Sequence, residues 1–124
     1  NDYMATILPE YSEANGNMVE LIICNNDGMA EGAVSALQGA GYNNGEGKTI
    51  PVFGVDATDS AKQLINEGKM TGTIKQDAEG MASTILNLVS SVNGGGELMD
   101  NTSSFNVDEG VAKIRVPYAT YTGE

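Results

Sequence analysis

Three places along the chain set carboxamide and carboxylate side chains directly after a short apolar run. Asn25, Asn26 and Asp27 follow Val19–Cys24, Asp56 follows Ile50–Val55, and Lys75, Gln76 and Asp77 follow Thr71–Ile74. An Asp carboxylate accepts from two adjacent hydroxyls, and an Asn or Gln amide donates with one end and accepts with the other. A polyhydroxylated ligand offers the matching groups, and charge-assisted bonds of this kind contribute about 1.5–3 kcal/mol each. Asn and Asp just before a helix also have a plainer use as N-caps. The reading therefore rests on three such positions at one edge, not on any one of them.

Composition removes much else. The 124 residues include no His, which excludes Ser-His-Asp and Cys-His catalysis and His-ligated zinc. The single cysteine, Cys24, sits in the run Leu21-Ile22-Ile23-Cys24 and is expected to be a buried, inert thiol. Seventeen acidic side chains against six basic ones give a net charge of −11, which argues against nucleic acid and against an anionic membrane surface. No run of apolar residues approaches the length of a membrane span. The start, Asn1-Asp2-Tyr3-Met4, has neither the basic nor the apolar region of a signal peptide, and a chain that opens without Met is expected to be a processed product or an excised piece. Asp56 lacks the acidic pair and later Lys of a phospho-acceptor site. Asn93-Gly94-Gly95-Gly96 follows a helical stretch rather than a strand, so it is no dinucleotide loop. Glycoside hydrolysis would need two carboxylates converging on one bond, and nothing in the spacing of Asp27 and Asp56 indicates that pairing. A non-enzymatic binding role is the expectation.

The elements that must position these residues alternate. Met4, Ile7, Leu8 and Tyr11 predict a helix over 2–14, weakened by Pro9. Val19–Cys24 predicts a buried parallel strand, and 28–40, with Met29, Ala30, Ala33, Val34, Leu37 and Ala40 on one face, a helix. Ile50–Val55 is a second strand, Asp56–Asp59 caps a third helix, and Thr71–Ile74 is a third strand. Asp77 opens a fourth helix with the stripe Ala78, Met81, Ala82, Ile85, Leu88, Val89 and Val92. Residues 97–110 are polar and turn-rich, 111–116 alternate like a strand, and 118–124 are extended or frayed. Strands alternating with helices predict an α/β fold, a parallel sheet covered by helices on both faces. In such a sheet ligands bind beyond the carboxyl ends of the strands, where the three polar groups fall.

The segments Glu20-Leu21-Ile22-Ile23-Cys24-Asn25-Asn26-Asp27-Gly28-Met29-Ala30 with Gly32-Ala33-Val34, Ile50-Pro51-Val52-Phe53-Gly54-Val55-Asp56-Ala57, and Val116-Pro117-Tyr118 resemble signatures of the periplasmic sugar-binding proteins, most closely the galactose/glucose-binding proteins of ABC importers. Those proteins have two Rossmann-like α/β lobes with the sugar held between them. The chain resembles their C-terminal portion, an incomplete two-lobe fold. The resemblance divides it into 1–76, a segment of the C-terminal lobe; 77–110, a helix and loop that cross to the N-terminal lobe; and 111–124, a returning strand and tail.

By the same resemblance Asn26 and Asp56 match sugar-hydroxyl ligands. Gln76 falls where the family carries an Asn, one methylene shorter. Glu20 matches the distant bidentate ligand of a structural calcium site whose other ligands come from before residue 1, so calcium is expected only in a full-length parent and no cofactor in this chain. The implied partners are a galactose- or glucose-type monosaccharide and the membrane subunits of an ABC permease, at a periplasmic or extracellular location with or without a lipid anchor in the parent. The effector domain of a LacI-type transcriptional regulator, which shares the fold, is the alternative. Without the other lobe, the stripe of helix 77–92 is expected to lie exposed and to drive self-association or domain exchange.

Overall fold

The computed structural model describes residues 2–108 and 110–124, which form two compact units, one of residues 2–75 with 120–124 and one of residues 76–108 with 110–119. In the first unit, α1 (Asp2–Ile7) stops short of the predicted end at 14. Pro9 disfavours helical backbone in Leu8, and the chain passes through turns into one 3₁₀ turn, Glu13–Asn15. Strand β1 (Ile22–Ile23), helix α2 (Asp27–Gly39), β2 (Val52–Val55), α3 (Asp59–Asn66) and β3 (Gly72–Lys75) follow in the predicted order.

β1, β2 and β3 are parallel, with Ile22 opposite Val52, Ile23 opposite Phe53, and Phe53, Gly54 and Val55 opposite Gly72, Thr73 and Ile74. β1 is shorter than its apolar run because it is an edge strand. Its ladder ends with Ile22 N–H donating to the Pro51 carbonyl and Cys24 N–H to that of Phe53, both at 2.9 Å. The opposite edge is β6 (Ala119–Tyr121), a paired strand inside the stretch 118–124 expected to be extended or frayed. Gly72 suits this docking, since a Cβ there would stand a tight 3.1 Å from the Tyr121 carbonyl oxygen. Tyr121 also donates its hydroxyl to Asn66 Oδ1 at 3.0 Å.

Ala30, Ala33, Val34 and Leu37 recur at the helical period and pack α2 onto β2 and β1, with Ala61 and Ile65 of α3, Val52, Ile50, Cys24 and Met70 in the same core. Met29 and Ala40, assigned to that face from sequence, are exposed instead, Met29 by 53%. The other sheet face carries Ile23, Phe53, Val55 and Ile74. On it Ile23, at the sheet edge, is 75% exposed, while Phe53, Val55 and Ile74 are half-buried.

In the second unit, α4 (Ala78–Asn93) begins where predicted, with Asp77 as N-cap accepting from Gly80 N–H at 2.9 Å. Its apolar stripe is largely uncovered, with Ile85 61% and Val89 59% exposed. The predicted strand 111–116 contracts to β5 (Ile114–Arg115), paired antiparallel with β4 (Asn106–Val107) and pinned by Arg115 Nε donating to Asp108 Oδ1 at 2.7 Å.

Candidate functional site

The site grows from the carboxyl ends of β1 and β2. Asn26 lies three residues beyond Ile23, and Asp56 three beyond Phe53, the residue opposite Ile23. Neighbouring parallel strands run about 4.8 Å apart, so equal offsets bring the two residues out at the same end of the sheet. Both are exposed.

Asn26 is the N-cap of α2. Its Oδ1 accepts from Met29 N–H at 2.9 Å, which commits the oxygen and turns the exposed amide NH2 into the group it can offer a hydroxyl. Of the segment 56–59 expected to cap the third helix, Asp56 is not the cap. Thr58 caps α3, with its hydroxyl accepting from Ala61 N–H at 3.2 Å. Asp56 instead occupies a bend, at φ 120°, followed by Ala57 at φ 55°. Two successive non-glycine residues in the left-handed region cost on the order of 1–3 kcal/mol each, and such strain persists only where its surroundings impose it.

Those surroundings are three successive hydrogen bonds. Asp56 N–H donates to the Ile74 carbonyl at 2.8 Å, Ala57 N–H to Thr73 Oγ1 at 3.3 Å, and Thr58 N–H to Asp27 Oδ2 at 2.8 Å. Thr73 in turn donates its hydroxyl to Asp27 Oδ1 at 2.5 Å. Asp27 and Thr73 are buried. The signal for Asp27 was present in the sequence, since it stands three residues before Ala30 and seven before Val34, on the buried stripe of α2. Opposite it, Gly54 pairs in register with Thr73, and a Cβ on Gly54 would overlap Asp27 Oδ1. The carboxylate takes the space that a side chain would need.

Gln76 directly follows β3 and opens the second unit. Glu20, exposed, lines a concavity with Glu13, Lys48 and Thr49, and Glu13 is paired with Lys48. Among the described residues no three His, Cys, Asp or Glu side chains converge to hold a metal. Cys24 is buried at the end of β1, and desolvation pushes its thiol pKa up.

Residues 1–97 match the family described as periplasmic binding protein domain. The chain belongs to that family. This periplasmic binding protein domain is 35% identical over 107 residues to the D-galactose/methyl-galactoside binding periplasmic protein MglB of Haemophilus influenzae, covering 86% of the chain and 30% of MglB. It is 38% identical over 58 residues to the ribose import binding protein RbsB of Escherichia coli, covering 47% of the chain and 18% of RbsB. Among solved structures, an ABC transporter periplasmic solute binding protein from Actinobacillus succinogenes with bound D-allose aligns at TM-score 0.61 and 30% identity, over 77% of the chain and 31% of that protein. An ABC transporter solute binding protein from Burkholderia multivorans shares the fold at TM-score 0.68 and 24% identity, over 98% of the chain and 36% of that protein. The domain thus spans about a third or less of the length of each of these relatives.

Proposed function

We propose that the chain is part of the sugar-binding receptor of an ABC importer and acts by binding alone, with no reaction of its own. The observation that carries this reading is the placement of Asn26 and Asp56 at matching offsets beyond adjacent parallel strands. There the Asp56 carboxylate accepts from two neighbouring hydroxyls of one ring and the Asn26 amide donates to a third oxygen. Gln76 joins them as a ligand on the family resemblance. The sugar is a monosaccharide of the galactose or glucose type, in keeping with the galactoside-binding relative, while the ribose and allose relatives define the nearest competitors. In the whole receptor the partners are the membrane subunits of the permease, and the location is periplasmic, with or without a lipid anchor. Import-binding relatives favour transport over a LacI-type regulator. Glu20 serves calcium only in a longer parent that brings further oxygen ligands.

Calorimetric titration of the chain with D-galactose, D-glucose, D-ribose and D-allose tests the reading. The chain alone, which spans about a third of its relatives, is expected to give weak heat or none; in a receptor that supplies the other lobe, saturable heat with galactose or glucose, weakened most in Asp56→Ala and less in Asn26→Ala and Gln76→Ala, is the expected result. An Asp56→Ala variant that binds as the parent receptor does overturns the assignment.

A further inference from the structure

Asp27 is not among the side chains offered to ligand, yet among the described residues it is the only buried carboxylate. Burying a carboxylate is costly unless its oxygens find donors. Here the donors are a backbone N–H and a hydroxyl, and both lie on the segments that flank Asp56. Oδ2 takes Thr58 N–H, and Oδ1 takes the hydroxyl of Thr73, whose own oxygen takes Ala57 N–H. With Asp56 N–H on the Ile74 carbonyl, all three amides of the left-handed bend are held. A carboxylate needed only for packing would be replaced by an apolar group without loss. This one satisfies two consecutive amides, one directly and one through Thr73, that a regular strand end would turn elsewhere.

We infer that Asp27, acting through Thr73 and Thr58, is the positioning residue that keeps Asp56 in its bend and aims its carboxylate outward. The functional half of this inference rests on the sugar-binding reading of Asp56. The conformational half does not.

The test uses the full chain and three variants. Thr73→Val keeps the volume and branching but loses the hydroxyl, Thr73→Ser keeps the hydroxyl, and Asp27→Asn keeps the shape but gives Thr73 a donor in place of an acceptor. Nuclear magnetic resonance reads the HN–Hα coupling of Asp56 and the exchange rates of the Ala57 and Thr58 amides. In Thr73→Val and Asp27→Asn the Asp56 coupling moves toward that of an extended residue, and the two amides exchange about tenfold faster or more, while Val34 and Leu37 keep their protection. Thr73→Ser restores the parent behaviour. An unchanged Asp56 coupling in Thr73→Val overturns the inference, as does an equal loss of protection at Val34 and Leu37, which marks a general loss of stability. If Asp27→Asn does not fold, the Thr73 pair decides.

A double-mutant cycle reads the functional half with D-galactose. In a receptor that supplies the other lobe, Asp27→Asn weakens binding about tenfold when Asp56 is present and has no further effect in an Asp56→Asn background, which weakens binding but keeps an acceptor oxygen so that the affinity is still measurable. Equal losses in both backgrounds overturn the positioning role. A chain that takes up no sugar without the other lobe behaves as expected, and the resonance data then decide for or against Asp27 as the device that sets the bend.

Discussion

The Oδ2 of Asp27 lies 2.8 Å from the backbone nitrogen of Thr58, across a sequence separation of 31 residues. This one bond ties the loop after β1 to the loop after β2, and so ties the segment that carries Asn26 to the one that carries Asp56. The α2–α3 side of the link is reinforced by Glu31, which accepts from the hydroxyls of Thr58 at 3.2 Å and Ser60 at 2.6 Å.

The space under that bond is closed by Gly54. A Cβ there would collide with Asp27 Oδ1 and approach Met70 Cε to 3.0 Å and the Ala30 Cβ to 3.2 Å. Gly54→Ala is expected to destabilise the chain by about 1–3 kcal/mol, the usual cost of overpacking. Urea unfolding followed by circular dichroism measures it. A variant as stable as the parent would show that the carboxylate has room to move.

Strain at Asp56 sets stability against binding. Glycine accepts φ 120° without a Cβ penalty, so Asp56→Gly relieves the bend while removing the carboxylate. The variant is expected to be more stable by about 1 kcal/mol and to lose sugar affinity. Thermal unfolding and calorimetry on the same sample read the two effects. Lower stability in Asp56→Gly would mean that the side chain contributes more to the fold than its backbone costs.

Cys24 offers a probe of the sheet edge. Burial pushes its thiol pKa up, so the thiolate that reacts with alkylating agents is scarcer at neutral pH than in an exposed cysteine. Alkylation by iodoacetamide is expected to be slow in the folded chain and to rise to the rate of a free thiol in denaturant. Rapid labelling under native conditions would place the thiol in solvent.

The exposed stripe of α4 predicts association between copies. Ile85, Val89 and Val92 present an apolar surface of the kind that isolated proteins seldom leave open. Sedimentation at micromolar concentration is expected to show dimers or larger species, and Ile85→Glu with Val89→Glu to return the chain to a monomer. A parent chain that sediments as a monomer throughout sinks this expectation.

The alternation of apolar runs with helical stripes was enough to order the elements from α2 to α4 and to place Asn26 and Asp56 at strand ends, because period and turn chemistry are local properties. Even the caps Asn26 and Asp77 were legible from residue type and position. The extent of β1 and β5 was not, since a strand is as long as its neighbour allows. The recruitment of 119–121 as an edge strand is a long-range pairing, and the close fit at its contact with Gly72, 49 residues before Tyr121, is set by the tertiary structure. The place of Asp27 on the buried stripe of α2 is legible from its spacing, but what its carboxylate does there was hidden for the same kind of reason. An acidic residue in the first turn of a helix looks like any other that favours the helix dipole. Only the packing of Gly54 opposite Thr73, two strands brought into register, makes the closed space in which that carboxylate meets the amides of the Asp56 bend.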